Sequence, residues 1–280
     1  MIVFKYIHDI SHYLHSLQQQ GKKTGFVPTM GALHQGHISL IESAHTKCDI
    51  VISSIFVNPT QFNDPGDFDK YPITIEKDID MLEKAGCDVL FLPSVKEMYP
   101  EGLTDGKQYE LGYLELVLDG AYRPGHFQGV CRVVEKLLRI VHPDKMLLGQ
   151  KDYQQCMVLA KMVETERLKT IIIICPTKRE ADGLAMSSRN VRLTNAFRTK
   201  APLIYQCLQS IKKEIKPGDI SHVKQQAIEK LVAAGFKPDY IEVANAQTLE
   251  LLHTWDGKTA LVALAAVFAG EVRLIDNLVF

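Results

Sequence analysis

Short apolar runs bounded by chain breakers recur five times in the first 175 residues, at 24–28, 50–57, 89–92, 145–148 and 170–175. Runs of this length read as buried strands. Helical spacing fills the intervals: residues 37–47, residues 75–84 with Gly86 behind them as a C-cap, and residues 130–141, which stop before Pro143. Strands that are apolar throughout need cover on both faces. Strand–helix alternation supplies that cover by making a parallel sheet with right-handed crossovers. Such a sheet binds ligands outside the carboxyl ends of its strands, so the loops after Val27, Val57 and Leu148 are the places to look for chemistry.

The pattern changes in the last hundred residues. Amphipathic helices are expected over 195–213 and 221–234, separated by Pro217-Gly218-Asp219, with short strands over 237–243, 260–268 and 272–276. Helices followed by strands suggest a small α+β domain. The expectation is therefore α/β: a Rossmann-like parallel-sheet N-terminal domain over residues 1–177 and a smaller α+β C-terminal lid domain over residues 178–280. A chain of 280 residues that is 46% hydrophobic has enough apolar side chains for two cores.

The net charge of -1 gives no basic excess for a phosphate backbone, so nucleic acid is not an expected partner. The longest apolar run, 260–269, is about half the ~20 residues a membrane helix needs, so no membrane partner is expected either. Residues 1–9 lack the apolar stretch of a signal peptide. The six cysteines are scattered without a CxxC pair, which fits a reduced, cytoplasmic chain better than a disulfide framework.

Two clusters carry the chemistry. Pro28, Thr29, Met30, Gly31, Ala32, Leu33, His34, Gln35, Gly36 and His37 follow a strand and open a helix. The glycines let the backbone turn tightly, and the helix start offers N–H groups and a positive dipole end suited to phosphate. His34 and His37 are three residues apart and share a helix face. Read singly, either is more often an ordinary histidine, and a zinc pair lacks a third ligand nearby. The strand, HxGH and helix together favour a nucleotide site. The second cluster, Met186, Ser187, Ser188, Arg189 and Asn190, is a solvated loop when read alone. With HxGH it becomes a candidate clamp for a triphosphate.

Together the clusters resemble the HIGH and KMSKS-type signatures of the nucleotidyltransferase superfamily. Three segments narrow the match: Asn58, Pro59, Thr60 and Gln61; Arg123, Pro124, Gly125, His126, Phe127, Gln128 and Gly129; and Gly149, Gln150, Lys151, Asp152, Tyr153, Gln154 and Gln155. With these, the chain closely resembles the pantoate–β-alanine ligase family, densely from Gly25 to Arg192 and more loosely through Arg273, Leu274, Ile275, Asp276 and Asn277.

The resemblance implies ATP-dependent condensation of pantoate with β-alanine, using Mg²⁺ and a pantoyl adenylate and releasing AMP and pyrophosphate, in a homodimer. It implies that residues 30–37 contact ATP, with His37 as proton donor and His34 assisting. Gly149, Gln150, Lys151 and Asp152 would form a second ATP segment, with Lys151 at the phosphates and Asp152 toward the ribose. Met186, Ser187, Ser188 and Arg189 would form a third, and the backbone of Lys178 would meet adenine. Lys151, Ser187, Ser188 and Arg189 join the histidines in stabilising the charge that develops on phosphate. Gln61 and Gln155 would hold pantoate, with Asn58 and Arg123 in the same region. Amides suit this substrate because they bind hydroxyls without neutralising the attacking carboxylate. Asp67, Asp69 and Asp78 are candidates for Mg²⁺, but acidic residues in such a stretch are usually solvated, and no metal ligand is assigned.

Two rivals stay open at this point. One is a superfamily enzyme that adenylylates a phosphorylated cofactor precursor. The other is a nucleotide-binding module without catalysis.

Overall fold

The computed structural model describes residues 1–61, 71–103 and 106–280. The chain divides into two compact units, one of Met1–Gly149 with Gln155–Pro176 and one of Gln150–Gln154 with Thr177–Phe280. The turn Gln150–Gln154 thus groups with the second unit, although the sequence places it well inside the first domain.

The first unit is built on six parallel strands: β1 (Ile2–Phe4), β2 (Thr24–Thr29), β3 (Ile50–Ile55), β4 (Val89–Phe91), β5 (Lys145–Gly149) and β6 (Ile171–Cys175). Their order across the sheet is β1-β4-β3-β2-β5-β6. From β2 the chain winds through β3 to β4 on one side and then through β5 to β6 on the other. The switch point of the topology, where a doubly wound sheet opens a crevice, therefore lies between β2 and β5.

Successive strand residues enter opposite cores, which explains the unbroken apolar runs. Phe26, Phe91 and Met146 pack with Ile10, Leu14 and Leu138, while Val27, Leu90 and Leu147 pack with Ile41, Ala44 and Leu82. The helices Ile7–Gln19 and His126–Val141 cover the first face, and Gln35–His45 and Ile75–Lys84 cover the second. The sequence reading misses β1 and the helix after it. Ile2 and Val3 are exposed, and a three-residue edge strand carries no periodicity to detect.

The second unit adds β7 (Gly218–Asp219), β8 (Lys237–Asn245), β9 (Thr254–Trp255), β10 (Leu261–Ala269) and β11 (Val272–Val279). β8, β10 and β11 form an antiparallel sheet with β10 in the centre. The helices Leu203–Glu214 and Ser221–Ala233 share one core with it, through Ile204, Leu208, Val223, Leu231, Ala263 and Ala265. The long helix expected over 195–213 is two, Asn195–Lys200 and Leu203–Glu214, because Pro202 cannot donate a helical N–H. No described helix is long and apolar enough to cross a membrane.

Candidate active site

In the first unit the site begins where β2 ends. Thr29 closes the strand by donating its hydroxyl to the Ser54 carbonyl at 2.7 Å and accepting the Gly31 N–H at 3.2 Å. Gly31 and Ala32 then take φ values of 80° and 49°, two left-handed residues in succession. Glycine adopts this conformation freely, but alanine does so only under constraint. The constraint is Asp78. Its carboxylate is fully buried and accepts the N–H of Ala32 at 2.9 Å, the N–H of Leu33 at 2.8 Å and the Thr74 hydroxyl at 3.0 Å.

The sequence reading of Asp78 as solvated is therefore overturned: it anchors the HxGH loop. A signal for this existed, since Asp78 stands four residues before Leu82 and shares its buried face on the helix Ile75–Lys84. The companion acids Asp67 and Asp69 lie outside the described residues.

The loop delivers His34 to the N-cap of the helix Gln35–His45. The Gly36 N–H donates to His34 Nδ1 at 3.1 Å, and the His34 N–H donates to His37 Nδ1 at 3.3 Å, a reciprocal capping box made by two imidazoles. Each Nδ1 acts as an acceptor, so each neutral ring carries its proton on Nε2. The ring centroids are 4.1 Å apart. Two Nε2–H donors thus stand side by side at the N-terminus of one helix, beyond the end of the switch-point strand.

Gln61 ends the 3-10 turn Pro59–Gln61 after β3, and its amide donates to the Met30 thioether, which ties the turn to the HxGH loop. Asn58 is fully buried. Its amide nitrogen donates to Thr60 Oγ1 at 3.0 Å, and its amide oxygen accepts the Tyr99 hydroxyl at 2.9 Å. Asn58 thus shapes the turn that carries Gln61.

Gly129 lets the helix His126–Val141 approach this turn, because a Cβ there would overlap the Thr60 carbonyl oxygen. Arg123 donates to His126 Nε2 at 3.1 Å, which leaves Nδ1–H of His126 to donate to the Gln61 carbonyl at 2.8 Å. The sequence motifs give His126 no role of its own, since it reads there as one letter of a matched segment. Gln155 is half-buried at the start of the helix Tyr153–Thr165 that follows β5. β5 is the strand next to β2.

In the second unit, Lys151 is partly buried and pairs with the neighbouring Asp152 at 3.3 Å. The segment 178–186 folds back as a hairpin. The Glu180 N–H donates to the Leu184 carbonyl at 2.8 Å, and the Met186 N–H to that of Lys178 at 3.0 Å. The hairpin runs into Ser187, whose hydroxyl accepts the Arg189 N–H at 3.2 Å and caps the 3-10 turn Ser188–Arg192. Ser187, Ser188 and Arg189 therefore leave the hairpin as one ordered turn.

A family model described as pantoate-beta-alanine ligase matches residues 2–279. The chain belongs to the pantoate–β-alanine ligase family. Pantothenate synthetase of Shewanella baltica (strain OS223) is 48% identical over 281 residues, covering 100% of this chain and 99% of that protein. The crystal structure of pantothenate synthetase from Thermus thermophilus is similar with a TM-score of 0.90 and 39% identity, covering 99% of each chain. Pantoate–β-alanine ligase from Francisella tularensis, complexed with beta-gamma ATP and β-alanine, is similar with a TM-score of 0.83 and 40% identity, covering 100% of this chain and 97% of that one.

As a pantoate–β-alanine ligase the chain forms a carbon–nitrogen bond between pantoate and β-alanine, the condensation that makes pantothenate. Family membership removes both rival readings. The first unit carries the paired imidazoles and Gln61, and the second carries the lysine and the Ser-Ser-Arg turn.

Proposed function

We propose that this ligase activates pantoate as pantoyl adenylate, with ATP as co-substrate, and that β-alanine then displaces AMP. The observation that carries the reading is the capping box of His34 and His37, which sets two imidazoles together at a helix N-terminus just past β2. Donors and a helix dipole placed where charge grows on phosphate are the main source of catalysis in such a displacement.

In this reading the pantoate carboxylate attacks the α-phosphorus in line. His37 donates a hydrogen bond to the phosphate with His34 beside it, while Lys151, Ser187, Ser188 and Arg189 stabilise the departing pyrophosphate. Gln61 and Gln155 orient the hydroxyls of pantoate. Arg123 lies in the same region and is held by His126. Lys178 and Asp152 line the nucleoside. The second unit acts as a lid that keeps water from the mixed anhydride.

Among the described residues no group of three His, Cys, Asp or Glu side chains could hold a metal ion. Mg²⁺ typically arrives on nucleotide phosphates and keeps several of its waters, which is the route proposed for it here. None of the six cysteines is disulfide-bonded, which suits a reducing cytoplasm. The homodimer is carried by the family resemblance alone, and sedimentation at micromolar concentration tests it.

The decisive experiment supplies pantoate, ATP and Mg²⁺ without β-alanine. Labelled pyrophosphate should exchange into ATP, and omitting pantoate should abolish the exchange. ADP and phosphate as products would overturn the adenylate route.

A further inference from the structure

The phosphate-clamping segments of the second unit do not hold themselves in place. The short 3-10 turn Gln150–Asp152 is tied to Asn277 of β11, and the hairpin 178–186 to Asp276 and the Asn277 carbonyl beside it. Asp276 and Asn277 are adjacent in the strand, and both are buried.

Asp276 takes Arg179 in a two-point ion pair, with Nη1 donating to Oδ2 at 2.6 Å and Nη2 to Oδ1 at 2.9 Å. Arg179 spends its remaining donors on the Gly183 carbonyl at 3.1 Å and the Asn277 carbonyl at 3.3 Å, and its guanidinium lies 3.5 Å from the centre of the Tyr205 ring. Arg179 thereby ties the first strand of the hairpin 178–186 and its turn at Gly183 to β11, and the bond from the Met186 N–H to the Lys178 carbonyl carries that hold to the point where the chain enters Ser187. A planar guanidinium held by a carboxylate on one edge and a ring on one face has little freedom left.

Asn277 holds the other segment. Its amide nitrogen donates to the carbonyls of Gln150 and Lys151, both at 2.9 Å, and its amide oxygen accepts from Gln150 Nε2 at 3.2 Å. A side-chain amide matched to two successive carbonyls sets the path of the backbone from which Lys151 projects.

We infer that Asp276 and Asn277 are positioning residues for ATP: they keep Lys151 and the Ser187, Ser188 and Arg189 turn in one register, so that both meet the triphosphate together. Neither needs to touch ATP. Their effect should be on nucleotide use and not on pantoate, whose Gln61, Gln155 and Arg123 are in the other unit. The inference rests on the proposed assignment of these two segments to the phosphates.

The test compares Asn277→Asp, Asn277→Ser and Asp276→Asn with Lys151→Ala in the full-length enzyme, measuring KM for ATP, KM for pantoate, kcat and the unfolding midpoint. Asn277→Asp is nearly isosteric but sets carboxylate oxygens against two carbonyls. It should raise KM for ATP by about tenfold or more, while KM for pantoate stays within about twofold. Asn277→Ser, which keeps one donor, should fall between it and the unmodified enzyme. Asp276→Asn should shift the same constant, because one guanidinium N–H then meets an amide N–H and the other a neutral oxygen.

A purely structural role would lower the unfolding midpoint and the active fraction and leave both KM values unchanged, and that result would overturn the inference. If Lys151→Ala also leaves KM for ATP unchanged, the phosphate assignment itself has failed. If Lys151→Ala raises it and the Asn277 and Asp276 variants do not, only the positioning role has failed.

Discussion

Asp78 and His37 act on one loop in separable ways. The buried carboxylate of Asp78 holds the left-handed turn at Ala32, and His37 closes the cap begun at His34. Asp78→Ala strands two buried N–H groups, so it should cost about 2–3 kcal/mol of stability and most of the activity as the loop relaxes. Asp78→Asn keeps one acceptor and should be milder on both counts. His37→Ala removes the cap contact to the His34 N–H, worth about 1 kcal/mol, and, on the proposed mechanism, a donor to the transition state, so it should slow turnover by about a hundredfold. Urea melts and steady-state rates on the same preparations check this. Turnover near that of the unmodified enzyme in a folded His37→Ala protein would remove the histidine from the mechanism.

Among elements, the helix His126–Val141 meets the turn Pro59–Gln61 only because residue 129 has no side chain. Alanine is the better helix former by about 1 kcal/mol, so propensity alone favours Gly129→Ala. The clash with the Thr60 carbonyl should win, because backbone cannot move as cheaply as a side-chain tip. The turn would shift together with Gln61. KM for pantoate should then rise by about tenfold with little change in KM for ATP. A Gly129→Ala enzyme that is stabilised and keeps its pantoate KM would contradict the close approach.

For the molecule as a whole, acid tolerance should depend on Asp144, which joins the two strands that flank the switch point. Just before β5, it accepts from the Thr24 N–H at 2.9 Å and the Thr24 hydroxyl at 3.2 Å at the start of β2, and pairs with Lys23 at 3.0 Å. Burial pushes its carboxyl up, but these contacts outweigh burial and hold it below the usual range. An acid with a depressed folded pKa stabilises fully above its unfolded value of about 3.9, and that stabilisation is lost as pH falls through the folded value. Asp144→Asn should therefore cost about 1–2 kcal/mol at pH 7, and the gap should close below about pH 4. A gap that persists into acid would mean that shape, not charge, holds the strands. Each unit has its own core, so the melts should be fitted without assuming a single transition.

Periodicity and breakers are enough to read from the sequence five of the six strands of the parallel sheet, most of their helices, the three longer strands of the C-terminal unit and the position of the HxGH turn. These are local signals, written in the spacing of apolar residues around Gly and Pro. The resemblance to the ligase family is legible for the same reason, since its motifs are short and contiguous. Long-range partners had to come from the fold. Asp78 lies more than forty residues from the loop it holds, Asp276 is nearly a hundred from Arg179, and Asn277 is further still from Lys151. A buried carboxylate and a solvated one look alike in a string of letters. What separates them is whether tertiary packing removes water and supplies N–H groups in its place.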